Sequence, residues 1–184
     1  MIRRALLALA LAALAGPALA QPTFLGEKAI VTAVRDGDEE KVRQAILKGE
    51  NPNQNNSTGQ PLLVVATLNG QVGVVEILLK AGAAPDSLDR DSYTSLIRAA
   101  ERGDVDIVDM LLKKGAKPSV QTRQGVSALM VAARLGHAEI VRLLLAAKAD
   151  PNLADFTGRT ALTYARQSGR ATIETMLRKA GGRE

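Results

Sequence analysis

The chain has 184 residues, a formal net charge of +5, one histidine and no cysteine. The lack of cysteine excludes disulfides, thiolate metal sites and thiol nucleophiles, and the mild positive charge does not by itself indicate a nucleic-acid partner. Only 2% of the residues are aromatic, so the core has to be built from Ala, Leu, Ile and Val.

Residues 1–20 have the organisation of a cleavable export signal. Arg3 and Arg4 precede an apolar run of about ten residues, and Gly16-Pro17 and small residues up to Ala20 follow it. A membrane-spanning helix needs about 20 apolar residues, so this run is too short to span. We therefore expect Sec-type cleavage after Ala20, which would leave a periplasmic or secreted domain, residues 21–184, with a net charge of +3.

A 33-residue repeat runs through the rest of the chain. Self-similarity at a fixed period of this length is typical of repeat proteins. The positions that recur are Gly37, Gly70, Gly103, Gly136 and Gly169; Ala33, Ala66, Ala99, Ala132 and Ala165; Pro52, Pro85, Pro118 and Pro151; and Leu63, Leu96, Leu129 and Leu162. The spacing predicts five units, at about 22–54, 55–88, 89–121, 122–154 and 155–184.

Each unit has the pattern of two short helices. In the fourth unit Ser127 can cap a helix from Ala128 to Leu135, and Gly136 can end it. A second helix is predicted from Ala138 to Ala147, because its apolar residues form one helical stripe. Pro151 soon afterwards prevents the helix from continuing.

The fourth unit, SALMVAARLGHAEIVRLLLAAKADPN, closely resembles the ankyrin repeat. The shared pattern is a capped start, a leucine, two alanines, Gly-His, Ile-Val and a run of leucines. The resemblance covers roughly residues 26–182 and implies an all-α solenoid of five helix-turn-helix units that serves as a non-catalytic protein-binding scaffold. The proline that starts the first helix in the family is replaced by Leu62, Ser95, Ala128 or Ala161.

The first and last units differ from the others in the second helix. Units two to four carry two apolar pairs there, whereas Lys41 and Ala45 replace one pair in the first unit, and Glu174 and Arg178 replace the other in the last. The simplest explanation is that one pair packs against the previous unit and the other packs against the next. At either end of the array one neighbour is missing, and the residues that would face it contact water instead. This predicts polar capping repeats and a monomer.

No residue pattern indicates catalysis or metal binding. His137 follows Gly136 at the Gly-His position of the repeat, which favours a scaffold role, and no second His or any Cys could complete a metal site. The acidic stretch at Asp89 resembles a calcium loop but has Ala100 where the bidentate carboxylate belongs. We expect no enzyme activity, no metal and no cofactor.

The family resemblance implies binding through the hairpin tips and the exposed side of the first helices. Six arginines and three acids fall on that side, and arginine and aromatic residues are enriched at interface hot spots. The sequence therefore predicts a protein partner with an acidic surface, with no nucleic acid and no membrane span. The candidate partner-binding residues are Arg90, Tyr93, Arg102, Arg123, Arg134, Leu135, Phe156 and Arg159.

The resemblance leaves the biological role open. Similar exported bacterial ankyrin proteins support oxidative-stress defence as helpers of a periplasmic catalase. Others are immunity proteins that neutralise a toxin effector, and a secreted effector that binds a host protein would also fit the fold.

Overall fold

The computed structural model describes residues 28–184, so the predicted export signal and its cleavage site lie outside the described residues. This part of the chain contains ten helices and, apart from isolated bridges, no β-structure. The first helices of the pairs are α1 (Ala29–Asp36), α3 (Leu62–Leu68), α5 (Ser95–Arg102), α7 (Ala128–Leu135) and α9 (Ala161–Gln167). The second helices are α2 (Glu39–Leu47), α4 (Val72–Lys80), α6 (Val105–Lys113), α8 (Ala138–Ala146) and α10 (Ala171–Lys179). The prediction of an all-α repeat solenoid is confirmed.

The helix pairs stack in chain order. Each first helix packs against the next first helix, and each second helix packs against the next second helix. From α3 onward the contacts between successive first helices are more extensive than those between successive second helices. Within residues 28–184, no helix combines the length and the apolar character that crossing a membrane requires.

Local capping chemistry fixes the helix ends where the sequence predicts them. The hydroxyl of Ser127 accepts a hydrogen bond from the Met130 backbone N–H at 3.4 Å, and Thr94 and Thr160 cap α5 and α9 in the same way. Gly136 ends α7 with φ at 90°, a left-handed conformation that favours glycine. Helix α8 ends at Ala146, one residue earlier than predicted.

The core is a continuous layer of aliphatic side chains between the pairs. Val75 and Val108, which face neighbouring units on the second helices, are completely buried. Lys41 and Arg178 at the two ends are exposed, as the capping hypothesis predicts. Ala45 departs from it, since it is buried.

Polar side chains that follow the four repeat prolines join neighbouring units. Asn53 Oδ1 accepts a hydrogen bond from the Ala84 N–H at 2.7 Å, and its Nδ2 donates to the Gly82 carbonyl at 3.0 Å. The equivalent residues Asp86, Ser119 and Asn152 accept from the backbone N–H groups of Lys117, Asp150 and Arg183 at 2.9, 3.0 and 2.9 Å. This ladder ties each unit to the next at the level of the loops.

Candidate protein-binding face

The hairpin tips between units are held by one side chain each. Asn56, Asp89, Thr122 and Asp155 occupy equivalent positions, and each accepts hydrogen bonds from the backbone N–H groups two and four residues further on, at 2.8–3.3 Å. The tips are therefore fixed in a single tight turn. The residue that follows each of these positions is exposed, and the four are Ser57, Arg90, Arg123 and Phe156.

A buried ion pair supports the tip of the third unit. The Asp89 side chain is only 2% exposed and accepts a hydrogen bond from Arg98 Nη2 at 3.0 Å. Arg98 also contacts Glu101 at 3.1 Å, and its guanidinium lies 3.7 Å from the centre of the Tyr93 ring. Tyr93 is consequently half-buried, with one ring face covered by Arg98.

A second buried carboxylate supports the tip of the fifth unit. The Asp155 side chain, 2% exposed, accepts hydrogen bonds from the Thr157 hydroxyl at 2.7 Å, the Tyr164 hydroxyl at 2.7 Å and Arg159 Nε at 3.0 Å. Burial alone would raise the pKa of the Asp155 carboxyl, but the hydrogen bonds from Thr157, Tyr164 and Arg159 outweigh it and hold that pKa well below its ordinary value.

Four of the predicted partner-binding residues are exposed, although the Arg90 guanidinium lies over Gly59 and the Phe156 ring lies against Gly125 of the preceding tips. Arg90, Arg123 and Arg134 are exposed, and none of them forms an ion pair or hydrogen bond through its side chain with a residue in 28–184. Phe156 lies in the same series of tips and is 82% exposed. We call these three arginines together with Phe156 the arginine strip.

The other four predicted residues also have contacts within the fold. Arg102 Nη1 donates to the Leu68 carbonyl at 2.9 Å, and Arg102 also pairs with Asp104, so it bridges the second and third units. Arg159 is held by Asp155, Tyr93 is covered by Arg98, and Leu135 is half-buried against the core. These residues lie beside the arginine strip, but each already uses part of its side chain for a contact within the fold.

A family model for ankyrin repeats in three copies matches residues 30–122 and again residues 117–183. The chain belongs to the ankyrin repeat family. Ankyrin repeats are generally protein–protein interaction modules, and proteins built from them are typically non-catalytic binding scaffolds. No curated protein matches the chain.

His137 packs against the preceding repeat unit. It precedes α8, and its ring lies over Gly103 of the preceding unit, where an added Cβ would be 2.8 Å from the ring carbon Cε1. Gln71 and Arg170 lie over Gly37 and Gly136 in the same way. Across residues 28–184, no three His, Cys, Asp or Glu side chains are grouped so that they could hold a metal ion.

The inter-unit ladder is the feature that sequence reasoning missed. Its signal is present, because an Asn, Asp or Ser follows each of the four repeat prolines. Those residue types are also ordinary in turns, so the pattern alone does not distinguish a local turn from a bond to the next unit.

Proposed function

We propose that this ankyrin repeat protein is an exported, non-catalytic scaffold that holds an acidic protein partner along the arginine strip. The observation that carries the proposal is that Arg90, Arg123 and Arg134 are exposed and form no side-chain hydrogen bond or ion pair within residues 28–184, while Phe156, at the tip position equivalent to Arg90 and Arg123, is 82% exposed. Unpaired guanidinium groups are suited to carboxylates, because their planar donors match a carboxylate with two parallel hydrogen bonds.

The arginines and the phenylalanine of the arginine strip contribute to binding in different ways. An exposed ion pair contributes about 1 kcal/mol or less, so the arginines alone give weak binding. Burial of a Phe side chain contributes about 1.5–3 kcal/mol, which makes Phe156 the anchor. The arginines then set orientation, partner choice and the rate of association, and all three effects weaken as salt is added. Tips that are already rigid lose little conformational entropy on binding.

The export part of the proposal is supported by residues 1–20. The charged start, the short apolar run and the small residues before Gln21 predict a mature protein that begins at Gln21. Mass spectrometry of the protein from a periplasmic fraction should find this N-terminus. A full-length chain that stays in the cytoplasmic fraction would contradict it.

The family resemblance supports oxidative-stress defence as the role, with a periplasmic catalase as the partner. An immunity role predicts that a toxin effector binds the arginine strip instead, and an effector role predicts that a host protein binds it. The identity of the protein that binds the arginine strip separates the three.

The direct test is affinity capture from a periplasmic extract. The strip variant combines Arg90→Glu, Arg123→Glu and Arg134→Glu. The matched control combines Lys117→Glu, Lys148→Glu and Lys179→Glu, which are exposed and change the net charge by the same amount. We expect wild type and control to retain one acidic partner and the strip variant to lose it. Equal recovery by all three proteins would contradict the proposed interface.

A further inference from the structure

The second-helix side of the stack carries an apolar groove that the arginine strip does not use. One depression of about 300 Å³ lies between α2 and α4, with Ile46, Leu47 and Ile77 in its lining. A second, of about 140 Å³, lies between α4 and α6 and is lined in part by Leu79 and Met110. Lys80 lines both depressions, so they are neighbours. We call the two together the outer groove.

Leu47 is the residue that the fold does not explain. Its side chain is 85% exposed at the end of α2, next to the partly buried Ile46. The equivalent positions in the other units are Lys80, Lys113, Ala146 and Lys179, so the repeat does not require an apolar residue there. A single exposed leucine is ordinary, but Leu47 lines an apolar depression, so the leucine and the depression together form a continuous apolar surface.

The rim of the outer groove is basic. Arg43, Lys80, Lys113 and Lys114 line it, against the single acid Glu76. Lys80 and Lys113 pair with Glu76 and Asp109 at 2.6 Å, but these acids lie one turn closer to the start of their helices. Lys80, Lys113 and Lys114 therefore lie at the carboxyl ends of α4 and α6, whereas Arg43 lies in the middle of α2 and pairs with Glu39 at 3.3 Å.

The basic rim is interrupted in the fourth unit, although Lys179 again supplies a lysine at the equivalent of Lys80 and Lys113 in the fifth. The residues equivalent to Lys113 and Lys114 in the fourth unit are Ala146 and Ala147, which carry no charge. The coincidence of depressions, an exposed leucine and a basic edge on the same three helices indicates a local docking surface.

We propose that the outer groove binds an acidic amphipathic helix of a protein partner. Neighbouring stacked helices lie about 8–10 Å apart, and two side chains seven residues apart on a helix are separated by about 10.5 Å along its axis. A helix lying across α2, α4 and α6 can therefore place one apolar side chain in each depression. Acidic residues beside that apolar stripe then meet Lys80, Lys113 and Lys114. Depressions suit inserted side chains better than a flat lipid surface, and this proposal stands independently of the arginine strip.

The test uses a fluorescein-labelled helical peptide with two leucines seven residues apart and glutamates beside them. Fluorescence anisotropy should show binding to wild type, and Leu47→Gln or the pair Lys80→Glu and Lys113→Glu should weaken it about tenfold or more. Leu88→Gln is the matched control, because Leu88 is also apolar and 49% exposed but lies outside the groove. Arg90→Glu with Arg123→Glu should also leave the affinity unchanged.

Several outcomes would overturn the proposal. One is equal binding of a peptide of the same composition whose leucines lie on opposite faces. Another is loss of binding in the Arg90 and Arg123 variant, which would place the peptide on the arginine strip. Co-sedimentation with phosphatidylglycerol-containing vesicles that Leu47→Gln abolishes would assign the groove to a membrane surface instead. Circular dichroism checks that each variant is folded. If a variant fails to fold, Leu47→Ala is measured in its place.

Discussion

At the scale of the residue, Lys148 occupies a left-handed backbone conformation that glycine takes elsewhere in the stack. Its φ is 65°, and the equivalent residues Gly49, Gly82 and Gly115 have φ of 85°, 89° and 83°. This conformation costs a non-glycine residue about 1–2 kcal/mol, whereas glycine loses about 0.5–1 kcal/mol more in chain entropy on folding. We expect Lys148→Gly to raise the free energy of unfolding in urea by about 0.5–1 kcal/mol.

The reverse substitution is the control for Lys148. An added Cβ at Gly115 would meet no atom within 4 Å, so Gly115→Lys tests the backbone conformation without a steric clash. It should lower the free energy of unfolding by a similar amount. A Lys148→Gly variant no more stable than wild type would show that the backbone at residue 148 is not strained.

Asp155 gives the stability of the stack a dependence on pH. Its folded pKa lies below its unfolded value of about 3.9, so the stability that its hydrogen bonds contribute is present above that pH and lost as the pH falls below it. Asp155→Asn should lower the free energy of unfolding by about 1–3 kcal/mol at neutral pH, and by less at acid pH. Urea unfolding at several pH values measures this. Asp91→Asn at an exposed position is the control, and a difference between wild type and Asp155→Asn that does not change with pH would contradict the assignment.

At the scale of the element, the ladder after each proline should contribute to the attachment of one unit to the next. Asn53 makes two hydrogen bonds across the junction, to the backbone at Gly82 and Ala84. Asn53→Ala should therefore lower the free energy of unfolding by about 1–2 kcal/mol and speed hydrogen exchange at the Ala84 amide. Asn69→Ala, at an exposed position whose side chain makes no hydrogen bond within residues 28–184, should change neither. Unchanged exchange at Ala84 in the Asn53 variant would show that the ladder is not needed there.

Features with a range of a few residues were predictable from the sequence, whereas contacts between units were not. Ser127 and Gly136 mark the ends of α7 because a helix cap acts within three or four residues. The bond from Arg102 to the Leu68 carbonyl spans 34 positions and depends on how two units face each other. For the same reason the sequence placed Tyr93 near a tip but did not reveal that Arg98 covers its ring.

At the scale of the whole molecule, we expect the polar end units to keep one stack from adding to another. Arg178 is exposed at the end of the array, and Glu174 beside it is half-buried. Glu174→Val with Arg178→Leu would recreate the apolar pair of the interior units on an open end. We expect concentration-dependent association in sedimentation velocity, since the new patch has no neighbour to cover it. Thr172→Val with Lys179→Leu adds apolar residues at other exposed positions of α10 and should remain monomeric. A monomeric end variant at all concentrations would contradict the capping role.

The central claim for the molecule is that a partner contacts the tips of the hairpins beside the arginines. Photo-crosslinking in the cell that produces the protein tests it most directly, with benzoylphenylalanine in place of Phe156 and, as a control, in place of the exposed Lys179. The account predicts that one acidic protein crosslinks from position 156 and not from position 179, with a lower yield when Arg90 and Arg123 are changed to glutamate. A partner that crosslinks equally from both positions, or not at all from position 156, would contradict it.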